Sequence, residues 1–189
     1  MIELRDLNKS FGKQTVLHDF SCTFEDGKQY LIRGESGIGK TTLLRLITKL
    51  ETPDSGEILF DGDDTFAMVF QEDRLIDEIS AVSNVMLCNP QLDEETVRKE
   101  LCALLPEDQI DKPVRELSGG QKRRTAIVRA MVNDGAVIIL DEPFTGLDED
   151  NRRKALAYIK EKQNGRTILL CSHEDDDLQG FIRVDLESL

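Results

Sequence analysis

The chain has 189 residues and a formal net charge of −13, and 39% of its residues are hydrophobic. This length suits a single domain with a substantial core, and the acidic balance argues against nucleic acid as a partner. No apolar run approaches the roughly 20 residues that a membrane-spanning helix needs, and the acidic, alternating N-terminus is unlike a signal peptide. We therefore expect a cytoplasmic protein.

The first elements read as a small layer of strands. Residues 2–7 alternate apolar and polar side chains, which is typical of a half-buried strand. A turn is expected at Ser10–Gly12, and residues 16–25 form a second strand-like run that ends at Asp26 and Gly27. These segments predict an antiparallel, hairpin-like layer at the N-terminus.

A glycine-rich loop follows, between a predicted strand at Gln29–Arg33 and a predicted helix that opens at Thr42. Residues Gly34–Thr41 match the phosphate-loop template G-x-x-x-x-G-K-[ST] at every specified position. The backbone N–H groups of such a loop curl around a phosphate, and the helix N-terminus adds its positive dipole end. Lys40 would reach the β- and γ-phosphates and the Thr41 hydroxyl would ligate Mg²⁺. The loop therefore predicts a nucleoside triphosphate site.

The segment after this helix returns to strands and then becomes helical. Residues 57–60 and 65–70 read as strands, and a polar loop follows at residues 71–77. The next stretch is rich in helix formers, with N-caps expected at Ser80 and Asp93. We interpret residues 79–116 as a small helical lobe inserted into the fold.

The C-terminal half alternates helices and strands. One expected helix opens within residues 117–121 and runs to about residue 132, and another covers about 149–163; the expected strands cover residues 136–140, 167–171 and about 182–185. Such alternation predicts an α/β fold with a mostly parallel, helix-covered sheet. The whole chain, residues 1–189, is then one domain, with a core formed by residues 1–78 and 117–189 around the lobe.

Two carboxylates end the apolar strand at residues 136–140. Ligands of parallel sheets gather beyond the carboxyl ends of the strands. Asp141 is therefore placed to hold Mg²⁺, and Glu142 is placed to polarise an attacking water. A solvated acidic turn is the alternative, and the phosphate loop favours the functional interpretation.

The segment Leu117–Gln121 reads Leu-Ser-Gly-Gly-Gln and decides the class. With the phosphate loop and the Asp141-Glu142 pair, it resembles the signature of the ATP-binding cassette (ABC) ATPase family. The resemblance extends from Phe11 to His173, with the motifs in the family's order. It implies a phosphate-loop NTPase core, ATP and Mg²⁺ as ligands, and ATP hydrolysis. A phosphate-loop kinase or GTPase is disfavoured, since those classes need neither this signature nor His173.

The resemblance also implies a role for each motif position. Phe11 would stack on adenine, although a small hydrophobic plug is an alternative for that ring. The residues expected to act in catalysis are Lys40, Gln71, Glu142 and His173. The ATP-binding residues would be Phe11, Gly34, Glu35, Ser36, Gly37, Ile38, Gly39, Lys40, Thr41 and Thr42, and the Mg²⁺ site would use Thr41, Gln71 and Asp141. The ATP of an opposite subunit would be met by Ser118, Gly119, Gly120, Gln121 and Asp148.

The same resemblance implies partners. Two cassettes, as a homodimer or a heterodimer, would pair head-to-tail around ATP, and separate membrane permease subunits would hold them at the cytoplasmic face of the membrane. The segments around Gln71 and Pro143 are similar to importer-type ATPases, while a cassette without a permease, as in iron–sulfur assembly, is the alternative. The lobe is short for the family, and Glu35 is an unusual charge in the phosphate loop, so we expect its carboxylate to point outward.

Overall fold

A three-stranded antiparallel sheet forms the N-terminal layer of the computed structural model, which describes residues 1–172 and 178–186. Strand β1 (Ile2–Phe11) lies between β2 (Gln14–Phe24) and β4 (Ser55–Phe60). The predicted antiparallel layer is confirmed and gains β4 as its third strand. The turn expected at Ser10–Gly12 lies slightly later, at Gly12 and Lys13, because β1 continues through Phe11, which pairs with Gln14 on β2.

A five-stranded sheet forms the centre of the fold. Its strands are β3 (Gln29–Arg33), β5 (Phe66–Val69), β6 (Val137–Asp141), β7 (Thr167–Cys171) and β8 (Ile182–Asp185). They lie in the order β5-β6-β7-β3-β8, and every pairing is parallel. All residues of β6 and β7 are buried, as expected for a parallel sheet that is covered on both faces. The predicted α/β class is confirmed.

Five helices accompany these strands in residues 1–172 and 178–186. They are α1 (Lys40–Ile47), α2 (Ala81–Met86), α3 (Glu94–Cys102), α4 (Gly119–Met131) and α5 (Glu149–Lys162), and two short 3₁₀ turns lie at Glu107–Gln109 and Val114–Glu116. Neighbouring residues of the central strands point to opposite faces. Ile138 and Leu140 pack with the lobe, α4 and α5, whereas Ile139 packs with α1 and the antiparallel sheet.

The helical lobe begins with the two predicted caps. The Ser80 hydroxyl accepts a hydrogen bond from the backbone N–H of Ser83 at 3.1 Å, and Asp93 accepts one from Thr96 at 2.8 Å. These side chains satisfy N–H groups that the first helical turn leaves without partners. Both N-cap predictions are confirmed.

A partly buried polar contact joins α3 of the lobe to α5. One carboxylate oxygen of Glu100, on α3, accepts a hydrogen bond from the Tyr158 hydroxyl at 2.8 Å, and the other lies 2.5 Å from Nζ of Lys162. Burial and the neighbouring carboxylate raise the pKa of Tyr158 well above its ordinary value, so the phenol stays a donor. The lobe and α5 also share one apolar cluster.

Arg166, before β7, joins the C-terminal ends of two helices. Its guanidinium donates to the carbonyls of Met131 at 2.8 Å, Asn133 at 2.6 Å, Lys162 at 2.8 Å and Gln163 at 3.1 Å. These carbonyls belong to helix ends, where the last C=O groups have no partner within the helix. A positive group at this position also suits the negative end of each helix dipole.

We expect Arg166→Ala to lower the free energy of unfolding by about 2–3 kcal/mol, because several half-buried carbonyls lose their donor together. Urea denaturation monitored by circular dichroism measures the loss. Arg153→Ala is the matched control, since Arg153 makes exposed ion pairs on the surface of α5, and it should change stability by about 0.5 kcal/mol or less. Equal effects of the two substitutions would contradict the bracing role of Arg166.

Candidate functional site

The phosphate loop lies between the end of β3 and the start of α1. Gly34, Gly37 and Gly39 have φ values of 147°, 82° and 116°, a region of backbone conformation that favours glycine. Gly39 also lies against β2, since a Cβ atom there would be 2.4 Å from Cγ1 of Val16. The loop therefore turns tightly into the helix, and its shape depends on glycine at the last position.

Lys40 is the first residue of α1, and its ammonium group folds back over the loop. Its Nζ donates to the backbone carbonyls of Gly34 at 2.7 Å and Glu35 at 3.0 Å. Glu35 is exposed, as expected for a carboxylate that points outward. A buried ammonium group and a helix N-terminus thus share one concave surface, which is suited to a polyphosphate.

Thr41 and Asp141 form a pair of oxygen ligands beside this surface. The Thr41 hydroxyl donates to a carboxylate oxygen of Asp141 at 2.9 Å, across the gap between α1 and the end of β6. Mg²⁺ prefers oxygen ligands and is held by one or two carboxylates together with phosphates of the substrate. Among the described residues, no group of three or more His, Cys, Asp or Glu side chains could hold a metal. The pair fits Mg²⁺ brought in with a nucleotide.

Glu142 follows Asp141 with a sharp change of backbone direction. Its φ is 51°, in the left-handed region, and its N–H donates to the carbonyl of Cys171 on β7 at 3.0 Å. A non-glycine residue in this region costs energy and is held there by its surroundings. The turn leaves the side chain at the edge of the sheet, beside the phosphate loop.

One cleft of about 260 Å³ collects most of the predicted residues. It is lined by Ser36, Gly37, Gly39, Lys40, Thr41, Thr42, Gln71, Asp141 and Glu142. Gln71 enters this lining from the loop that follows β5, although it lies 71 positions before Glu142 in the chain, with the helical lobe and α4 between them. The carboxyl ends of β3, β5 and β6 therefore meet as the sequence predicts.

Phe11 lies outside the lining of this cleft, at the end of β1. Its side chain is 49% exposed, so the interpretation as a buried plug is wrong. The ammonium group of Lys9 lies 5.1 Å from the ring centroid, a favourable cation–π distance. The ring is therefore accessible to a flat ligand.

The signature segment lies apart from the cleft, at the N-terminus of α4. Ser118 and Gln121 form a capping box: the Ser118 hydroxyl accepts from the Gln121 N–H at 3.3 Å, and the Gln121 side chain accepts from the Ser118 N–H at 2.8 Å. Ser118 and Gly119 are exposed. The side chain of Gln121 is thus engaged in a hydrogen bond within its own chain. The exposed part of the segment is the start of the helix, at Ser118 and Gly119.

Asp148 is the N-cap of α5. Its carboxylate accepts from the Asn151 backbone and side-chain N–H groups, each at 2.8 Å, and these hydrogen bonds lower the pKa of Asp148. The segment before it is close to the signature, since a Cβ atom on Gly120 would be 3.4 Å from the carbonyl oxygen of Gly146. The predicted His173 lies outside the described residues.

Sequence patterns missed two arginines of α4, Arg123 and Arg129. Both donate to backbone carbonyls of the loop that carries Gln71. An arginine among the polar residues after Gln121 reads as an exposed side chain, and its burial depends on a loop about 50 residues away. The local sequence pattern does not distinguish an exposed arginine from one that is buried against a distant loop.

The profile of the family described as ABC transporter matches residues 17–145. The lipoprotein-releasing system ATP-binding protein LolD of Porphyromonas gingivalis is 35% identical, over 97% of this chain and 94% of the relative. The spermidine/putrescine import ATP-binding protein PotA of Haemophilus influenzae is 34% identical over 94% of this chain, which spans only 52% of the length of PotA.

A solved structure is similar over the whole fold. It is the dimeric, post-hydrolysis state of the ATP-binding cassette MJ0796 bound to ADP and Pi, with a TM-score of 0.84 and 27% sequence identity. The match covers 100% of this chain and 97% of that one. Of the helices in the described part of the present chain, none combines the length and hydrophobicity that crossing a bilayer requires.

Proposed function

Because this chain belongs to the ABC transporter family, we propose that it binds ATP with Mg²⁺ in the cleft around the phosphate loop and hydrolyses it. The observation that carries this proposal is the meeting of Lys40, Thr41, Gln71, Asp141 and Glu142 in one cleft. Phosphoryl transfer depends mainly on positioning and on stabilisation of charge. A polyphosphate cradle beside a pair of oxygen ligands and a carboxylate supplies those two requirements.

Each side chain has a distinct task in this proposal. Lys40 leaves the carbonyls of Gly34 and Glu35 and places its charge against the β- and γ-phosphate oxygens. Thr41 and Asp141 hold Mg²⁺, which when bound neutralises charge on the phosphate oxygens. Glu142 accepts hydrogen-bond donation from the attacking water, and Gln71 orients that water from the opposite side. The family resemblance gives His173 a contact with the γ-phosphate.

We propose further that the working form is a pair of cassettes. The cleft contains no residue of the signature segment, while Ser118 and Gly119 are exposed at a helix N-terminus, where N–H groups favour an anion. In a head-to-tail pair, the signature of one chain covers the ATP in the cleft of the other. The dimeric state of the ADP-bound cassette described above supports this arrangement.

The partner of such a pair is, in our proposal, a membrane permease at the cytoplasmic face of the membrane. A second groove of about 250 Å³ lies next to Gln71, with Leu44, Leu50, Phe70 and Arg74 among its lining residues. Leu50 is 49% exposed in this lining. A short helix of a permease would bury these apolar side chains. The names of the relatives, which include import ATP-binding proteins, favour transport over the soluble iron–sulfur alternative.

Phosphate release from ATP by the purified chain tests the enzymatic proposal. We expect hydrolysis with Mg²⁺ and its loss when EDTA removes the metal, because Thr41 and Asp141 alone do not neutralise the phosphate charge. Hydrolysis that is unchanged by EDTA would contradict the assignment of these two residues.

Co-purification from the native membrane tests the transport proposal. Recovery of a chain with several apolar segments of about 20 residues would support it. Recovery of soluble partners alone would favour the iron–sulfur alternative and leave the enzymatic proposal in place.

A further inference from the structure

Lys9 lies near the end of β1, and its charged side chain is nearly buried. The side chain is 10% exposed. Its Nζ donates to a carboxylate oxygen of Glu51 at 3.0 Å and to the carbonyl of Thr52 at 2.7 Å, and it lies 3.6 Å from the carboxylate of Asp54. The hydrogen bond with Glu51 raises the pKa of Lys9, so the ammonium group keeps its charge. Lysine is rarely buried unless its charge is paired, and the loop at residues 51–54 supplies the partners.

Backbone hydrogen bonds fix the same loop to β1 and to α1. The N–H of Asp54 donates to the carbonyl of Asn8 at 2.8 Å, and the N–H of Ser10 donates to the Asp54 carboxylate at 2.7 Å. At the other side of the loop, the N–H of Glu51 donates to the carbonyl of Arg45, on α1, at 3.1 Å. The helix that begins at the phosphate loop is therefore joined, at its other end, to the last residues of β1.

Phe11 follows Lys9 by two residues and lies at the side of the phosphate loop. The ammonium group of Lys9 lies over the Phe11 ring, 5.1 Å from its centroid. Phe11 pairs with Gln14 on β2, and Val16, two residues further along β2, lies against Gly39 of the phosphate loop. One face of the ring meets the ammonium group, so the opposite face is the one that a flat ligand can stack on.

A cation that is itself held in place restrains the ring beneath it. A half-exposed phenylalanine at the end of a hairpin would otherwise occupy several rotamers, and a ligand that stacks on it would have to order the ring on binding. The ammonium group of Lys9 is fixed by Glu51 and Thr52, and its attraction to the ring favours one arrangement. The ring is therefore ordered before any ligand arrives.

We propose that Lys9 is a positioning residue for the nucleobase, which holds the Phe11 ring in the orientation that stacks on the base. This inference rests on the proposed function, in which the triphosphate lies in the cleft, and on the stacking on Phe11 that the family resemblance implies. Lys9 contributes to binding through the base and not through the phosphates. It therefore raises the preference for a nucleotide with a large, flat base.

Replacement of Lys9 by methionine tests this division between base and phosphates. With Mg²⁺ present, we expect a non-hydrolysable ATP analogue to bind about 5- to 20-fold more weakly. Inorganic tripolyphosphate, which has no base, should bind within about twofold of the unaltered chain, because the backbone bonds of Asp54 still hold the loop. Isothermal titration calorimetry measures both affinities. In phosphate-release assays KM for ATP should rise by the same factor with kcat within about twofold, as for lost uniform binding.

Lys28→Met is the matched control. Lys28 is exposed and lies before β3, at the end of that strand away from the phosphate loop. Its substitution removes the same charge and should leave both affinities within about twofold. Equal weakening of the analogue and of tripolyphosphate by Lys9→Met would show a general distortion of the site and would overturn the positioning role.

A double variant tests whether Lys9 acts through the ring. Phe11→Ala alone should weaken the analogue about 5- to 50-fold, the usual range for loss of base stacking. In that background Lys9→Met should weaken it by no more than about twofold further, because no ring is left to position. A loss as large as in the unaltered chain would overturn the proposal.

Fluorescence reports the stacking directly, since the chain contains no tryptophan. Phe11→Trp introduces a single indole whose emission the stacked adenine should quench, while tripolyphosphate should leave it unchanged. Adding Lys9→Met should shift the midpoint of quenching to about 5- to 20-fold more analogue, and an unchanged midpoint would contradict the proposal.

Glu51→Gln serves if Lys9→Met fails to fold, since the Glu51 side chain is 28% exposed and its carboxylate holds the same ammonium group. It should weaken the analogue about 2- to 5-fold and leave tripolyphosphate unchanged, and equal weakening of both would overturn the positioning role. Binding of neither ligand by the unaltered chain would refute the proposed function itself, and this inference with it.

Discussion

Replacement of Glu142 by glutamine is expected to slow ATP hydrolysis about 10²- to 10⁴-fold, the usual contribution of a general base. The substitution keeps the size of the side chain and the backbone bond from residue 142 to the Cys171 carbonyl. Lys40, Thr41 and Asp141 are untouched, so ATP and Mg²⁺ should still bind. The variant would therefore bind ATP without consuming it and hold two chains together around the nucleotides.

Phosphate release and gel filtration with Mg-ATP measure the two parts of this result. The unaltered chain should return to a monomer as it hydrolyses ATP, whereas Glu142→Gln should remain a dimer. Glu107→Gln, in an exposed 3₁₀ turn of the helical lobe, is the matched control and should hydrolyse ATP normally. A Glu142→Gln protein that hydrolyses ATP at the ordinary rate, or stays monomeric at high concentration with Mg-ATP, would refute the assigned role.

Replacement of Gly39 by alanine is expected to destabilise the protein by about 3 kcal/mol or more, in the upper range of single substitutions. Two separate effects combine at this position. The φ of 116° is unfavourable for a residue with a side chain, and the new Cβ would lie 2.4 Å from Cγ1 of Val16 and 3.2 Å from its carbonyl oxygen. Relief of that overlap would separate the phosphate loop from β2 and distort the start of α1.

Gly37→Ala is the matched control, because Gly37 also has a positive φ, 82°, but a Cβ there meets nothing within 4 Å. We expect a loss of about 1 kcal/mol from backbone strain alone. Thermal unfolding without nucleotide compares the two variants and excludes any contact with phosphate. Equal losses for Gly37→Ala and Gly39→Ala would show that contact with Val16 contributes nothing to the stability of the loop.

The parallel sheet was the most predictable part of the fold. The bounds of β3, β7 and β8 agree with the sequence prediction to the residue. Short runs with apolar residues between polar ones leave little choice of where a strand begins and ends. Helix α1 begins at Lys40, two residues before the predicted start. The difference arises because Gly39 acts as the N-cap without a capping side chain, and no local signal marks such a start.

The sequence predicted residues of the candidate site only where they belong to a recognisable motif. The template around Gly34–Thr41 and the strand before Asp141 located the cleft, since both place their residues at the carboxyl ends of strands. The hydrogen bonds that Arg123 and Arg129 donate to the loop after β5 were not predictable. Their acceptors are backbone carbonyls about 50 residues away, which have no side-chain signature in the sequence. A strand was predicted at residues 57–60, but its place in the antiparallel layer was not, because β4 pairs with β1 across the whole phosphate loop and α1.

The contacts of Glu100 with Tyr158 and Lys162 of α5 limit which segments of this protein could be exchanged for those of another cassette. The helices of the lobe lie between β5 and α4 in the order of the chain, yet their apolar residues, such as Leu101, lie in the same cluster as Ile159 of α5. A lobe excised as a peptide would lose Tyr158 and Lys162, and a lobe grafted from a longer cassette would need its own match for them. In this chain the lobe and α5 would have to be exchanged together, so the unit of modular design extends beyond the inserted segment.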